Sequence, residues 1–342
     1  MAQHFLLSPD SRGIKSPIDI TRMSDQEAFD LLCELRWGKD GTQCCPQCGV
    51  IRKHHYIKSR KQFRCAEVSC TRTFSVTSGT KFAYHKKSLR DILAATCLYV
   101  SHVCGTAALR TASFMGAAYK PMLVYHHKIK EALYETRDLS PMSGEVEIDG
   151  AYFHYYVRPA NYKANRVDRR LARNLNPNKR CVLVIRERGL AGTGAKRSIT
   201  TVIKVENEKD ALALAKKYIV PKATIYTDNH NSYGILAAEY DLKKINHDEA
   251  YSHDGVNENQ AESFFNRLRK LKSNIHKCDP RFLNVYANEI VWREDNRRVS
   301  FYDQFTDILK KCLQTGQSRL WSKYWQGNRV TEDCLFSASE CP

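Results

Sequence analysis

The chain has 342 residues, with 54 Lys plus Arg against 37 Asp plus Glu and a net charge of +17. That length suits two or three domains with ample core, and 42% hydrophobic with 27% charged residues excludes a disordered or membrane-embedded chain. The charge is concentrated. Residues 51–90 hold eleven basic residues against the single acid Glu67, and residues 158–200 hold twelve against Asp168 and Glu187. The remainder sums to −3, so two basic blocks on a near-neutral body point to a polyanionic partner, nucleic acid first.

The opening MAQHFLLSPDSRGIK lacks the features of a signal peptide. The thirteen cysteines are odd in number, and four of them form two tight pairs, which fits a reduced cytoplasm and metal binding. In SDQEAFDLLCELRWG, Ser24 is an N-cap with Glu27 three residues on, and Phe29, Leu32 and Leu35 form an apolar stripe, so one amphipathic helix is expected. This N-terminal helical segment covers residues 1–40.

A zinc ribbon is expected over 41–82. Cys45-Pro-Gln-Cys48 and Cys65 with Cys70 are two knuckles separated by sixteen residues, and two loops each offering two thiolates make a tetrahedral structural site for Zn²⁺. Strands are expected at 55–58, 62–64 and 73–76. The second knuckle is wide and must bulge around 66–69; Cys44 is the alternative to Cys45. Residues 83–140 read as a helical, helix-turn-helix-like DNA-binding region broken by Gly105, Gly116 and Pro121, with Lys128 and Lys130 among the DNA contacts. Residues 92–109 lack Asp, Glu, Lys and Arg, but Thr96, Ser101, His102, Gly105 and Thr106 make them a buried soluble segment rather than a membrane span.

After Pro141 the periodicity changes. Strands are expected at 145–156, 181–186, 199–205, 223–227 and 242–246, with helices at 209–218, 231–240, 257–272 and through 280–315. Three acids fall at telling places: Asp149 on the first strand, Asp228 just after the fourth, and Glu262 on the following helix. In an RNase H-like α/β fold these positions converge on one edge of the sheet, where clustered carboxylates hold two Mg²⁺ or Mn²⁺ ions. Glu147 and Asp254 are rival carboxylates. Asn259 and Arg269 share the helix face of Glu262, and Arg269 can reach a phosphate backbone; Phe264, Phe265 and Leu268 face the core. The basic insert 158–200 supplies Arg169, Arg170, Arg173, Lys179 and Arg180 as phosphate contacts.

LRWG, CPQCG, TFSVTSGTKF, HHKIKEAL, EIDGAYF, IYTDNHNSYGIL, HDGVNENQAESFFNRLRK and WREDNRR together resemble a bacterial DDE-type insertion-sequence transposase of the ISXO-like subgroup with an N-terminal zinc ribbon. The resemblance covers about residues 20 to 310. It implies that Asp149, Asp228 and Glu262 are the DDE triad, that Arg269 is the family's basic residue, and that the chain works on double-stranded DNA as at least a dimer. Phe265 departs from the family's frequent Trp, and the second cysteine pair is wider than usual. The catalytic domain is thus expected over 141–320, with 321–342 as a tail. A non-catalytic zinc-ribbon regulator and a structure-specific nuclease remain the alternatives.

Overall fold

The computed structural model describes residues 5–168, 171, 174, 176, 178–190, 193–245, 259–275 and 279–327. Arg169, Arg170, Arg173 and Asp254 lie outside the described residues, as does the side chain of Asn259. The chain divides into two compact units, one drawn from Met1–Arg137 and Asn296–Arg329, the other from Asp138–Asp295.

The first unit opens with α1 (Pro17–Thr21) and α2 (Asp25–Trp37). The capping box forms at α2: the Glu27 N–H donates to Ser24 Oγ (3.2 Å) while the Ser24 N–H donates to the Glu27 carboxylate (2.7 Å). Gly38 ends the helix at φ +85°, a conformation that glycine adopts without steric cost. A hairpin of β1 (Gln43–Cys44) and β2 (Ile51–Arg52) follows. A three-stranded antiparallel sheet then runs β3 (His55–Ile57), β4 (Gln62–Arg64), β5 (Thr73–Ser75). These strands are too short to enclose a core. Instead Phe63 and Phe74 stack with centroids 5.7 Å apart, and Phe63 meets Phe29 at 6.2 Å and Trp37 at 5.4 Å on α2.

Three helices complete this stretch: α3 (Leu89–Val100), α4 (Ala108–Phe114) and α5 (Tyr119–Glu135). The uncharged run 92–109 is split between α3 and α4, and among the described residues no helix is long and apolar enough to cross a membrane. Pro121 does not break α5, because it sits in the first turn, where its missing N–H has no helical acceptor to lose. The HHKIK segment, expected to bring Lys128 and Lys130 to DNA, is largely packed inside this unit. His126, His127 and Lys130 are buried; His127 stacks on Trp321 at 4.3 Å, and the Lys130 ammonium lies 5.0 Å over Tyr99. They share the packed stripe of Met122, Ile129 and Leu133. Burial, then the Lys130 charge, holds His127 well below its ordinary pKa. Lys130 is thus removed from the DNA contacts, and Lys128 is half-buried, donating to the Ala83 carbonyl at 3.4 Å. Lys81 is likewise structural, buried between Glu131 (3.2 Å) and Glu135 (2.8 Å).

The second unit is built on β6 (Glu145–Phe153), β7 (Arg180–Arg188), β8 (Ala195–Ile203), α6 (Glu208–Tyr218), β9 (Thr224–Asp228), β10 (Asp241–Ile245), α7 (Asn259–Ile275) and α8 (Leu283–Asp295). The sheet order is β10-β9-β6-β7-β8. β6, β7 and β8 are antiparallel neighbours, while β9 runs parallel to both β6 and β10. One face packs Val146, Ile148, Leu183 and Ile225 against Ala211, Leu214 and Tyr218 of α6. The other packs Ala151, Phe153, Val182 and Val184 against Phe264, Phe265 and Leu268 of α7 and Tyr286 and Ile290 of α8. Internal strand β7 is covered on both faces, which is why CVLVI is a continuous apolar run rather than an alternating one.

The segment read as a helix at 231–240 winds as a 3₁₀ helix over Asn231–Ala238, burying Tyr233 and Leu236 at the three-residue period of that helix. The basic insert is also less free than its charge suggests. Arg186 pairs with Glu294 (3.4 Å), Arg188 with Glu147 (2.9 Å), Lys196 with Glu187 (3.1 Å), and Arg197 with Asp138 (2.6 Å). Arg180 is buried and donates to the Lys179 carbonyl (2.9 Å), so it leaves the set of phosphate contacts. Lys179 is half-buried, its ammonium 3.8 Å from the centre of the Tyr152 ring.

WREDNRR closes α8 as a structural motif. Glu294 joins Arg186 and Arg267, Arg293 bonds Glu289 at 2.9 Å, and Asp295 accepts the Ser198 N–H at 3.2 Å. Burial pushes the Asp295 carboxyl from 3.8 up to about 7. A raised carboxyl pKa favours the fold at low pH, and that contribution is lost as pH climbs from about 4 to about 7. Asp295→Asn should therefore gain thermal stability over the wild type progressively across that window and hold a constant advantage above it. Melting curves from pH 4 to 8 check this; an advantage that does not grow with pH would contradict the shift.

The expected 141–320 domain is shortened by the last helix, α9 (Phe301–Gln314), which groups with the first unit. There the Lys81 N–H donates to the Cys312 carbonyl (3.1 Å), and Ser318 and the Arg319 N–H both donate to Glu131, at 2.5 and 2.9 Å. Trp321, expected in a tail, is buried in this unit.

Candidate functional site

The four knuckle cysteines come together. The Sγ atoms of Cys45, Cys48, Cys65 and Cys70 all lie within 4.8 Å of one another, with Cys45 to Cys70 at 3.9 Å and Cys48 to Cys65 at 3.6 Å. Zinc–thiolate bonds of about 2.3 Å in a tetrahedron need sulfur–sulfur edges of about 3.8 Å. The donor set therefore fits a structural Zn²⁺. Burial pushes the Cys65 thiol up to about 12, and a bound dication supplies the charge that stabilises its thiolate. Cys44 stays outside the cluster, its Sγ donating to the Gly49 carbonyl at 3.5 Å. His54 escaped the sequence reading. It is buried, and its Nδ1 accepts the Ala66 N–H at 3.0 Å, fixing the wide second knuckle beside Cys65.

The acids of the second unit are positioned by strand register. β6 and β9 pair in parallel only from Glu145 with Thr224 to Glu147 with Tyr226. Two residues on, the same register places Asp149 beside Asp228, where the two strands no longer pair. The parting lies at the carboxyl end of β9, while β6 runs on to Phe153 beside β7, and a parting of parallel strands is where an α/β sheet opens a crevice. Both aspartates are half-buried. The Gly150 N–H donates to Asp149 Oδ1 at 2.6 Å and the His230 N–H to Asp228 Oδ1 at 3.0 Å. Burial pushes the Asp149 carboxyl up to about 7, and the Asp228 charge pushes the same way; the Gly150 N–H opposes them, Glu206 adds a smaller raise and Arg269 a smaller lowering. Two crowded, hard oxygen donors that resist sharing negative charge suit a divalent cation such as Mg²⁺ or Mn²⁺.

Glu262 is on α7, exposed, and lines a hollow of about 380 Å³ with Ser263, Asn266, Arg267 and Lys270. Arg269, on the same helix, is among the groups that shift Asp149, lowering it. The rival Glu147 has a different task. It is fully buried, paired with Arg188, and accepts the Ala261 N–H at 3.0 Å. That bond ties the first turn of α7, and with it Glu262, to β6.

Comparison with known families decides what these two sites belong to. An ISXO2-like transposase domain matches residues 141–295, and a transposase zinc-ribbon domain matches residues 23–73. The chain carries the two domains of a zinc-ribbon DDE transposase. No curated protein and no solved structure matches it. The DDE domain ends with α8, in agreement with the second unit, and leaves α9 outside. The zinc-ribbon domain starts ahead of α2, the helix whose Phe29 and Trp37 complete the ribbon's aromatic core. One acid of the DDE domain carried no sequence signal at all: Glu206, in the connection between β8 and α6, outside any strand or helix period.

Proposed function

We propose that the chain is a DNA transposase that binds insertion-sequence ends and catalyses metal-dependent strand cleavage and strand transfer, with Asp149, Asp228 and Glu262 as the acids of an RNase H-like domain. The observation that carries this reading is the pairing of Asp149 with Asp228 where β6 and β9 part. The sheet order β10-β9-β6-β7-β8 and the helix α7 behind β6 support it. When bound, Mg²⁺ or Mn²⁺ activates the attacking water or 3′-hydroxyl and stabilises charge on the reacting phosphate. Asp149 and Asp228 hold oxygens toward that ion, each oriented by a backbone N–H. Glu262 approaches from α7, anchored through Glu147, and Arg269, two turns on along the same helix, engages the phosphate of the reacting strand.

End recognition falls to the first unit. The ribbon exposes Arg52, Lys53, Arg60, Arg64 and Arg72, and α4 and α5 flank a turn at Gly116 in a helix-turn-helix-like arrangement. Lys128, Asn259, Lys179, Arg169, Arg170 and Arg173 complete the proposed phosphate contacts, on an assembly of at least two chains at the bacterial nucleoid. The test is an assay of the full chain on duplexes ending in the element's own inverted repeats. Nicking and joining that require Mg²⁺ or Mn²⁺ and stop with EDTA are expected. End binding without cleavage under any divalent ion would make the chain a regulator, and cleavage without joining would make it a nuclease.

A further inference from the structure

Glu206 is held against the acidic pair by several independent contacts. Its backbone N–H donates to the Tyr152 hydroxyl at 3.1 Å, and its carboxylate accepts the phenolic O–H of Tyr233, a fully buried side chain. Its carboxylate also lies directly over Gly150: a Cβ there would come within 2.8 Å of the Glu206 carboxyl carbon. The glycine after Asp149 is therefore explained by close approach, since φ at this position is not in the left-handed region. The Tyr233 phenol, raised chiefly by burial, also feels the charges of Glu206, Asp149 and Asp228 together. Glu206 thus belongs to the group of charges around the strand parting.

We propose that Glu206 is a further carboxylate of the divalent-cation site, contributing an oxygen alongside Asp149 and Asp228 and positioned by the hydroxyl of Tyr233. The assignment rests on the transposase reading above. A hard dication gains affinity with each anionic oxygen in reach, and Glu206 is a half-buried acid that bonds a phenol and lies over the Gly150 backbone, with no ion pair to a base among the described residues. The Tyr233 bond takes up one lobe of the carboxylate and sets its direction. Gly150 provides the room.

The discriminating variant is Glu206→Gln. Its amide oxygen still accepts the Tyr233 hydrogen bond and its volume is unchanged, so a purely structural role survives while the charge is lost. Mn²⁺ binding to the full chain, read by the free-ion electron paramagnetic resonance signal, should weaken on the order of tenfold or more. Glu206→Asp, which keeps the charge on a shorter arm, should recover part of that loss. The ribbon's zinc content and the circular dichroism of the chain before Mn²⁺ is added should stay unchanged. Unaltered Mn²⁺ affinity in Glu206→Gln, with affinity lost in Asp149→Asn and Asp228→Asn, would overturn the role of Glu206 alone. Unaltered affinity in all three would overturn the cation site itself, and with it the reading on which this proposal rests.

Discussion

Asp228→Asn should bring strand cleavage and strand transfer below detection while leaving binding to the element's ends intact. The substitution keeps size and shape, and the amide oxygen still accepts the His230 N–H that orients the native carboxylate. What it removes is an anionic oxygen at the point where β6 and β9 part. A neutral amide is a poor donor to a hard cation, and without that ion nucleophile activation and leaving-group stabilisation fail together. Because both steps depend on the same donors, a variant that spared transfer but not cleavage would argue against a shared site. Glu262→Gln should be as damaging and Asp254→Asn nearly silent. The reverse pattern would reassign the third acid. Arg269→Ala should retain residual cleavage, since a phosphate contact positions the strand and does not carry the ion. Substrate titration separates these cases: the acids lower the maximal rate, Arg269 chiefly the apparent affinity.

Much of this arrangement is legible in the sequence, for reasons that differ by element. The ribbon strands fall where the alternation of His55–Ile57, Gln62–Arg64 and Thr73–Ser75 places them, because knuckle spacing leaves few alternatives. The five sheet strands and α6 to α8 follow from period and turn residues. Pro121 misleads because a proline in a first helical turn looks, in sequence, like a break. Lys130 and Arg180 mislead because charge is visible in sequence and burial is not: one sits over Tyr99, the other lies in the edge of β7. The insert at 158–200 reads as a free basic arm, yet four of its charges are spent on Glu147, Glu187, Glu294 and Asp138, acids 9 to 108 residues away. Glu206 is invisible for a related reason. Only the close approach to Gly150 and the long-range bond to Tyr233 single it out, and neither leaves a local pattern.

Cys48→Ser or Cys70→Ser should unfold the ribbon and weaken end recognition while the DDE domain keeps its fold. The three strands of the ribbon sheet are three residues each, and the sheet's core is Phe63 and Phe74 leaning on Phe29 and Trp37. Aromatic contacts of this kind contribute about 0.5–1.5 kcal/mol each beyond their burial, whereas a structural zinc contributes on the order of 10–16 kcal/mol in a small domain. The metal therefore dominates. Losing one thiolate also releases the loop that His54 holds at Ala66, since that bond orders a turn whose other end is a zinc ligand. Hydrogen exchange should show residues 41–82 losing protection, with the β6–β9 strands unaffected, and metal analysis should fall from one zinc per chain to less than about half. Cys44→Ser is the internal control: its sulfur bonds the Gly49 carbonyl outside the cluster, so zinc content and end binding should persist. Wild-type protein carrying less than about half an equivalent of zinc, yet binding its ends normally, would show that the four sulfurs hold the ribbon together without a metal.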